Sequence, residues 1–245
     1  MNNPKEYAAN RRRQERDNMQ CLRENVHKIK WKGRDRIIDI GSGDGGFTAM
    51  ILKVFLPDDY EELVGVDRSS EMVMYAKTLY SDERVSFEVL DIREDLPQQL
   101  VGYFDHVFSF YTLHWVSDQK KAFANIFSLL SEGGDCLLSI LGDIPAYFSV
   151  NQFFARSNKW IPWVKDLEHV VSPYHGHPDP EPLLRKMLKA TGFKQVDVSR
   201  KKYYYTYNSI EEFKSCVKSV TAFKIPSEMM EDYLEEYVTS YHRTG

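Results

Sequence analysis

Arg36-Ile37-Ile38-Asp39-Ile40-Gly41-Ser42-Gly43-Asp44-Gly45-Gly46 is a short apolar run that breaks into four glycines. The branched residues suit a buried strand, and the glycines end it. A helical period then restarts at Phe47, Met50, Ile51 and Val54. Strand, glycine turn and helix in that order open a parallel α/β sheet. Gly41, Gly43 and Gly46 also satisfy G-x-G-x-x-G, which on its own does not separate a dinucleotide site from other nucleoside sites.

Working outward, the alternation repeats. Leu63 to Val66 reads as a second strand, with Ser69 or Ser70 as the N-cap of a helix over Glu71 to Tyr80. Val85 to Leu90 and Phe104 to Phe110 read as a third and fourth strand, and Lys120 to Leu130 as a helix. A turn at Gly133-Gly134 is expected to introduce a fifth strand over Cys136 to Leu141. Upstream, Tyr7, Ala8, Met19, Leu22, Val26 and Ile29 recur at helical spacing, so one or two helices precede the sheet. The class is α/β, a doubly wound and mostly parallel sheet with N-terminal helices.

The character changes after Gly142. Prolines at 145, 162, 173, 178 and 180 punctuate a segment crowded with aromatic residues, which reads as a cap over the sheet edge. Pro182 to Thr191 returns to helix with Gly192 at its C′ position, and Phe193 to Val198 begins a sixth strand. Helices near Ile210–Val220 and Ser227–Tyr241 follow. We expect one domain over residues 1–245: an N-terminal helical segment (1–32), a cofactor-binding core (33–142), a cap (143–181) and a C-terminal part (182–245).

Composition excludes more than it assigns. A net charge of −4 gives no basic footprint for nucleic acid, and the run Arg11-Arg12-Arg13, followed by Glu15 and Asp17, reads as a solvated helix face. Cys21, Cys136 and Cys216 form no C-x-x-C pair, so neither a disulfide framework nor a structural zinc site is expected. His175 and His177 lack a third ligand, and no metal is expected. No apolar stretch is long enough for a membrane span and Met1 to Arg16 is too polar for a secretory signal. A cytoplasmic protein without stable membrane insertion is expected; the oligomeric state is not legible.

Charge around the glycines selects the cofactor. Asp39 and Asp44 bracket the loop and would repel a pyrophosphate, whereas S-adenosylmethionine presents an ammonium and a sulfonium. Each such pair at ~4 Å and an effective dielectric near 20 is worth about 4 kcal/mol before desolvation. Asp67, ending strand two, is placed for ribose hydroxyls. Asp91, after strand three, is placed for an adenine amino group, with Ile92 beside the ring.

Ile38 to Gly45 and Leu90-Asp91-Ile92 resemble motifs of class I methyltransferases, built on a Rossmann-like sheet. The run Phe104-Asp105-His106-Val107-Phe108-Ser109-Phe110-Tyr111-Thr112-Leu113-His114-Trp115 resembles, more specifically, the insect juvenile hormone acid O-methyltransferases. The similarity extends to His27–Lys32, Asn125-Ile126-Phe127, Gly134–Leu138 and Ser172-Pro173-Tyr174-His175, and covers nearly the whole chain. It implies methyl transfer from S-adenosylmethionine, leaving S-adenosylhomocysteine, to the carboxylate of farnesoic acid or juvenile hormone acid. Gln14 and Trp115 match positions implicated at that carboxylate, with His114 adjacent. The implied cofactor residues are Asp39, Gly41, Asp44, Asp67, Arg68, Asp91 and Ile92, and Ser42, Gly43 and Ser109 complete the expected set. In the family a final strand near the C-terminus completes the sheet. Nothing after Tyr207 reads as a strand, so either a shortened form or a sheet closed with fewer strands is expected, with Lys202 to Tyr207 as a candidate.

A carboxylate with a pKa near 4–5 is ionised at neutral pH and needs no general base. Gln14 and His114 are therefore expected to orient it as donors, with Trp115 giving its indole N–H or a wall. Tyr111, Phe148, Phe153, Trp160 and Tyr174 are candidates to line an apolar acid pocket. A fatty acid fits the same chemistry, as does a weakly active or non-catalytic binder of cofactor and lipid.

Overall fold

The computed structural model describes residues 3–164 and 171–244, so part of the expected cap, 165–170, lies outside the described residues. Five strands form one parallel sheet: β1 (Arg36–Ile40), β2 (Glu62–Asp67), β3 (Val85–Val89), β4 (Phe104–Phe110) and β5 (Leu130–Ser139). Their order is β3-β2-β1-β4-β5. The strands all run parallel, but the order in which the chain adds them reverses between β1 and β4, so the sheet opens a crevice beyond Ile40 and Phe110, where ligands of such sheets bind.

The core follows from strand periodicity. Successive strand residues face opposite sides. Ile37 packs with Leu22, Phe47, Phe87 and Phe108 on one face, while Ile38 and Ile40 pack with Val107, Phe123 and Ile126 on the other. Two covered faces explain why β1 is apolar nearly throughout.

Nine α-helices surround the sheet among the described residues. The N-terminal segment is two helices, α1 (Pro4–Asn10) and α2 (Arg12–Asn25), the first capped by the Asn3 side chain, which accepts from the Glu6 amide. α3 (Gly46–Met50) follows the glycine loop; α4 (Ser70–Tyr80) is capped by Ser69 and α5 (Gln119–Leu129) by Asp118. The cap contributes α6 (Pro145–Phe154), and α7 (Glu181–Thr191) packs back on α5. At its end Gly192 has φ +125°, and a Cβ there would lie 2.9 Å from the Phe127 ring. α8 (Ile210–Val220) and α9 (Met230–Thr244) join the cap in a third core, where Val150, Phe154 and Trp160 meet Val217, Tyr233 and Tyr237.

Two strand expectations are corrected. β5 starts at Leu130 rather than Cys136, and runs through the glycines. Its register jumps from Phe104↔Leu130 to His106↔Asp135, so the surplus residues form a bulge with Gly133 at φ +73°. Asp135, where pairing resumes, is held by His106 Nδ1 at 2.6 Å. Among the described residues there is no sixth strand: neither Phe193–Val198 nor Lys202–Tyr207 joins the sheet. Arg185 instead donates to the carbonyls of Val196 and Val198, giving that backbone a side-chain partner in place of a strand.

Candidate active site

The glycine loop is held tightly by its surroundings. The amides of Gly41 and Ser42 donate to Val66 O at 2.7 and 2.9 Å, tying the loop to β2. Gly41 has φ +77°, and a Cβ there would sit 2.0 Å from Thr112, so only glycine lets the loop pass the end of β4. Asp67 accepts from the Gly43 amide at 3.0 Å and the Ser69 amide at 2.9 Å, which fixes its carboxylate beside the loop with lone pairs to spare.

Burial governs the other loop acids. Asp39 is 2% exposed and accepts from Thr48 Oγ1 at 2.6 Å; its carboxyl is pushed up to about 7 by desolvation, against that bond. Asp44 is pushed up to about 6 by burial, although the Arg11 guanidinium is paired with it. Arg11 also pairs with Glu15 at 2.6 Å, and a Cβ on Gly46 would meet its guanidinium at 2.3 Å. With Tyr7 3.5 Å from the Cβ position of Gly43, α1 and the start of α2 form a lid over the loop.

That geometry corrects the arginine run as a solvated face. Arg12 is exposed, but Arg11 clasps the loop and Arg13 turns into the cleft. The acidic residues keep the loop region negative nonetheless: Asp39, Asp44 and Asp67 stand against one guanidinium. Ser42 Oγ is buried and unpartnered beside them. A cradle lacking Cβ atoms, with carboxylates around it, fits a cofactor that brings cationic groups and hydroxyls.

The remaining expected cofactor residues divide. Asp91 is half-buried at the end of β3, and Arg93 engages it through its amide at 3.0 Å and Nε at 2.8 Å, holding the carboxyl below its usual range. Ile92 is buried in the second core, and Arg68 is exposed. Ser109 does not face the crevice: its hydroxyl donates to Ile40 O at 2.9 Å inside the sheet, so it fixes the end of β1.

The acceptor side is a cleft of about 1720 Å³ beyond β4 and β5. Gln14, Tyr111, His114, Trp115, Phe148 and Tyr174 all line it. Gln14 Oε1 and His114 Nδ1 are buried without hydrogen-bond partners. Burial, assisted by the Arg13 charge, pushes His114 down to about 3, so its imidazole is neutral at neutral pH. Tyr111 has φ +52°, a strained conformation for a residue with a Cβ, and donates to Asp17 Oδ2 at 2.7 Å. This kink ends β4 and starts the 3-10 turn Leu113–Trp115, which carries the histidine and the tryptophan with rings 4.8 Å apart.

Sequence reasoning missed what holds that turn. Gln119 is buried and donates to Leu113 O at 2.7 Å and Val116 O at 2.6 Å, while accepting from Tyr174 Oη at 2.7 Å. Tyr174 therefore anchors the turn through its hydroxyl and lines the cleft with its ring. Phe148 lies tilted against His175, ring centroids 3.9 Å apart, and His175 pairs with Asp143. Two expected lining residues are elsewhere. Trp160 is fully buried in the cap core, donating to Glu236 at 2.7 Å, and Phe153 is 48% exposed outside the cleft. Among the described residues no group of three or more metal-ligating side chains is present.

A sheet whose strand order reverses at a glycine loop, with acids at the ends of β1, β2 and β3, defines a class I methyltransferase that uses S-adenosylmethionine. Residues 37–134 match the family model described as a methyltransferase domain. Two curated relatives, both named juvenile hormone acid O-methyltransferase, come from Bombyx mori and Drosophila melanogaster. They are 45% and 37% identical, each over 97% of this chain and over 85% and 82% of their own lengths. The chain belongs to the juvenile hormone acid O-methyltransferase family. Among solved structures, the YcgJ protein of Bacillus subtilis shares the fold at TM-score 0.60 and 19% identity, covering 90% of this chain and 82% of that one. The phosphoethanolamine N-methyltransferase 2 of Haemonchus contortus, in complex with S-adenosyl-L-methionine, does so at TM-score 0.52 and 20% identity, over 91% of this chain and 48% of its own.

Proposed function

We propose that the enzyme esterifies the carboxylate of a sesquiterpenoid acid, farnesoic acid or juvenile hormone acid, by direct methyl transfer. The observation that carries this is the pairing of Gln14 and His114: two buried polar side chains with free hydrogen-bonding atoms at the mouth of an aromatic cleft. A buried polar group without a partner costs stability, and a carboxylate oxygen is the natural complement to His114 in the tautomer that carries its proton on Nδ1, with the Gln14 amide donating through Nε2 rather than its Oε1. Trp115 adds a wall beside them.

S-adenosylmethionine, when bound, supplies a methyl group activated by a sulfonium. Gly41, Ser42 and Gly43 form its cradle, with Asp39, Asp44, Asp67 and Asp91 as the acids that hold it. The chain's own work is then placement. Gln14 and neutral His114 donate to the ionised acid and aim one oxygen, and the apolar walls strip its water. Holding reacting atoms near 3–3.5 Å contributes on the order of 7–11 kcal/mol. No base is required, and a histidine too buried to take up a second proton stays a neutral donor at neutral pH.

The acceptor is a small apolar acid rather than a nucleic acid, and the reaction is assigned to the cytoplasm. No helix among the described residues is long and apolar enough to cross a membrane. The test is incubation with labelled S-adenosylmethionine and either farnesoic or lauric acid. Methyl farnesoate as the faster product is expected. Faster lauric ester would overturn the sesquiterpenoid assignment, and cofactor binding without any ester would overturn catalysis.

A further inference from the structure

Arg13 stands apart from its neighbours on α2. Arg11 pairs with Asp44 and Glu15, Arg12 is exposed, and Arg16 donates to Asp17 Oδ1 at 2.8 Å. Arg13 lines the cleft, its Nε is buried without a partner, and it makes no ion pair among the described residues. Asp17, one turn on, is the carboxylate whose charge it senses, but that group is already held by Arg16 and by Tyr111 Oη. Its other polar surroundings are Tyr111, Tyr207 and Cys216, and its charge also reaches Tyr147 and His114. The phenols of Tyr111, Tyr147 and Tyr207 are all pushed up by burial, so none of them supplies a negative charge at neutral pH.

A guanidinium facing an apolar cleft without a counter-ion is a site waiting for an anion. We propose that Arg13 binds the acceptor's carboxylate as a charge-assisted anchor beside Gln14 and His114, and makes the cleft selective for an anionic acid over its neutral ester. This rests on the carboxylate-acceptor reading above and adds to it the residue that recognises charge. The planar fork of arginine can take both carboxylate oxygens. The ester carries no charge, so Arg13 favours the acid entering and lets the product leave. A cation on the carboxylate stabilises the bound acid more than a transition state in which that charge is being neutralised. Its effect therefore lies mainly on KM, not on kcat.

The test uses the full chain saturated with S-adenosylhomocysteine, titrated calorimetrically with farnesoic acid and with methyl farnesoate, beside steady-state kinetics. The wild type is expected to bind the acid at least about tenfold more tightly than the ester. In Arg13→Met that preference disappears, KM for the acid rises about tenfold to a hundredfold, and kcat does not fall. Arg13→Lys restores part of the preference, while S-adenosylhomocysteine binds all three proteins alike, which shows that each is folded. Retained acid-over-ester preference in Arg13→Met, or a fall in kcat with KM unchanged, would overturn the proposal. Should lauric acid prove the better acceptor, the sesquiterpenoid assignment falls and Arg13 is judged by laurate against methyl laurate. A wild type that separates neither acid from its ester removes Arg13's role even if methyl transfer stands.

Discussion

Burial acts in opposite senses on Asp39 and His114, and in each it disfavours the charged form. His114 is pushed down to about 3 and stays neutral, while Asp39 is pushed up to about 7 and is partly protonated near neutrality. For Asp39 the consequence has a definite sign. A cation held beside it favours the ionised form, so below about pH 7 cofactor binding must release its proton. Affinity for S-adenosylmethionine then falls as pH falls through 7. Calorimetry at pH 6.5 in two buffers of different ionisation heat is expected to show proton release in the wild type and a smaller release, left to Asp44, in Asp39→Asn. Equal heats in both buffers for the wild type would remove Asp39 from the cofactor's charge recognition. At this scale the sequence was legible wherever a residue's meaning is local. Gly41 is needed because of the backbone's own path, and Asp67 because it ends a strand. Arg11 and Arg13 were misread because their role depends on which way a helix faces, and a run of like charges carries no signal of that.

The turn between β4 and α5 shows how an element is held from outside itself. Gln119 lies in the first turn of α5, yet its amide closes the 3-10 turn Leu113–Trp115 and receives the Tyr174 hydroxyl from the cap. It acts as a positioning residue for His114 and Trp115. Gln119→Ala removes three buried hydrogen bonds and is expected to destabilise the chain by about 2–4 kcal/mol. Turnover should fall more than S-adenosylhomocysteine affinity, because the cofactor loop is built on other elements. Chemical denaturation and cofactor titration of the one variant check both halves; equal losses would mean that the turn is not held separately. Several helices were legible to within a residue or two from periodicity and caps, as with Ser69 for α4 and Ile210–Val220 for α8, whereas α6 was hidden in the proline-punctuated cap. β5 was not, since Gly133-Gly134 reads as a turn unless the neighbouring Phe104 and His106 are known to pair across it. Phe193–Val198 carries strand-like residues, but a strand exists only with a partner.

Across the whole molecule, three cores divide the labour. Two sandwich the sheet and fix the crevice, and the third joins cap to C-terminal helices without touching the cofactor loop. The aromatic wealth of the cap was legible, but not its split between packing and pocket, because Trp160 and Phe148 differ only in which way they face. The N-terminal lid then has a bearing on kinetic order. One helix pair both covers the glycine loop, through Tyr7 and Arg11, and turns Arg13 and Gln14 into the cleft. An acid bound to α2 holds that cover in place, so the nucleoside must board before the acid and disembark after the ester. Product inhibition is expected to reveal this queue. S-adenosylhomocysteine should compete with S-adenosylmethionine but not with the acid, and excess acid should slow turnover by trapping the spent nucleoside. Mutual competition between S-adenosylhomocysteine and the acid would mean that the two doors open independently.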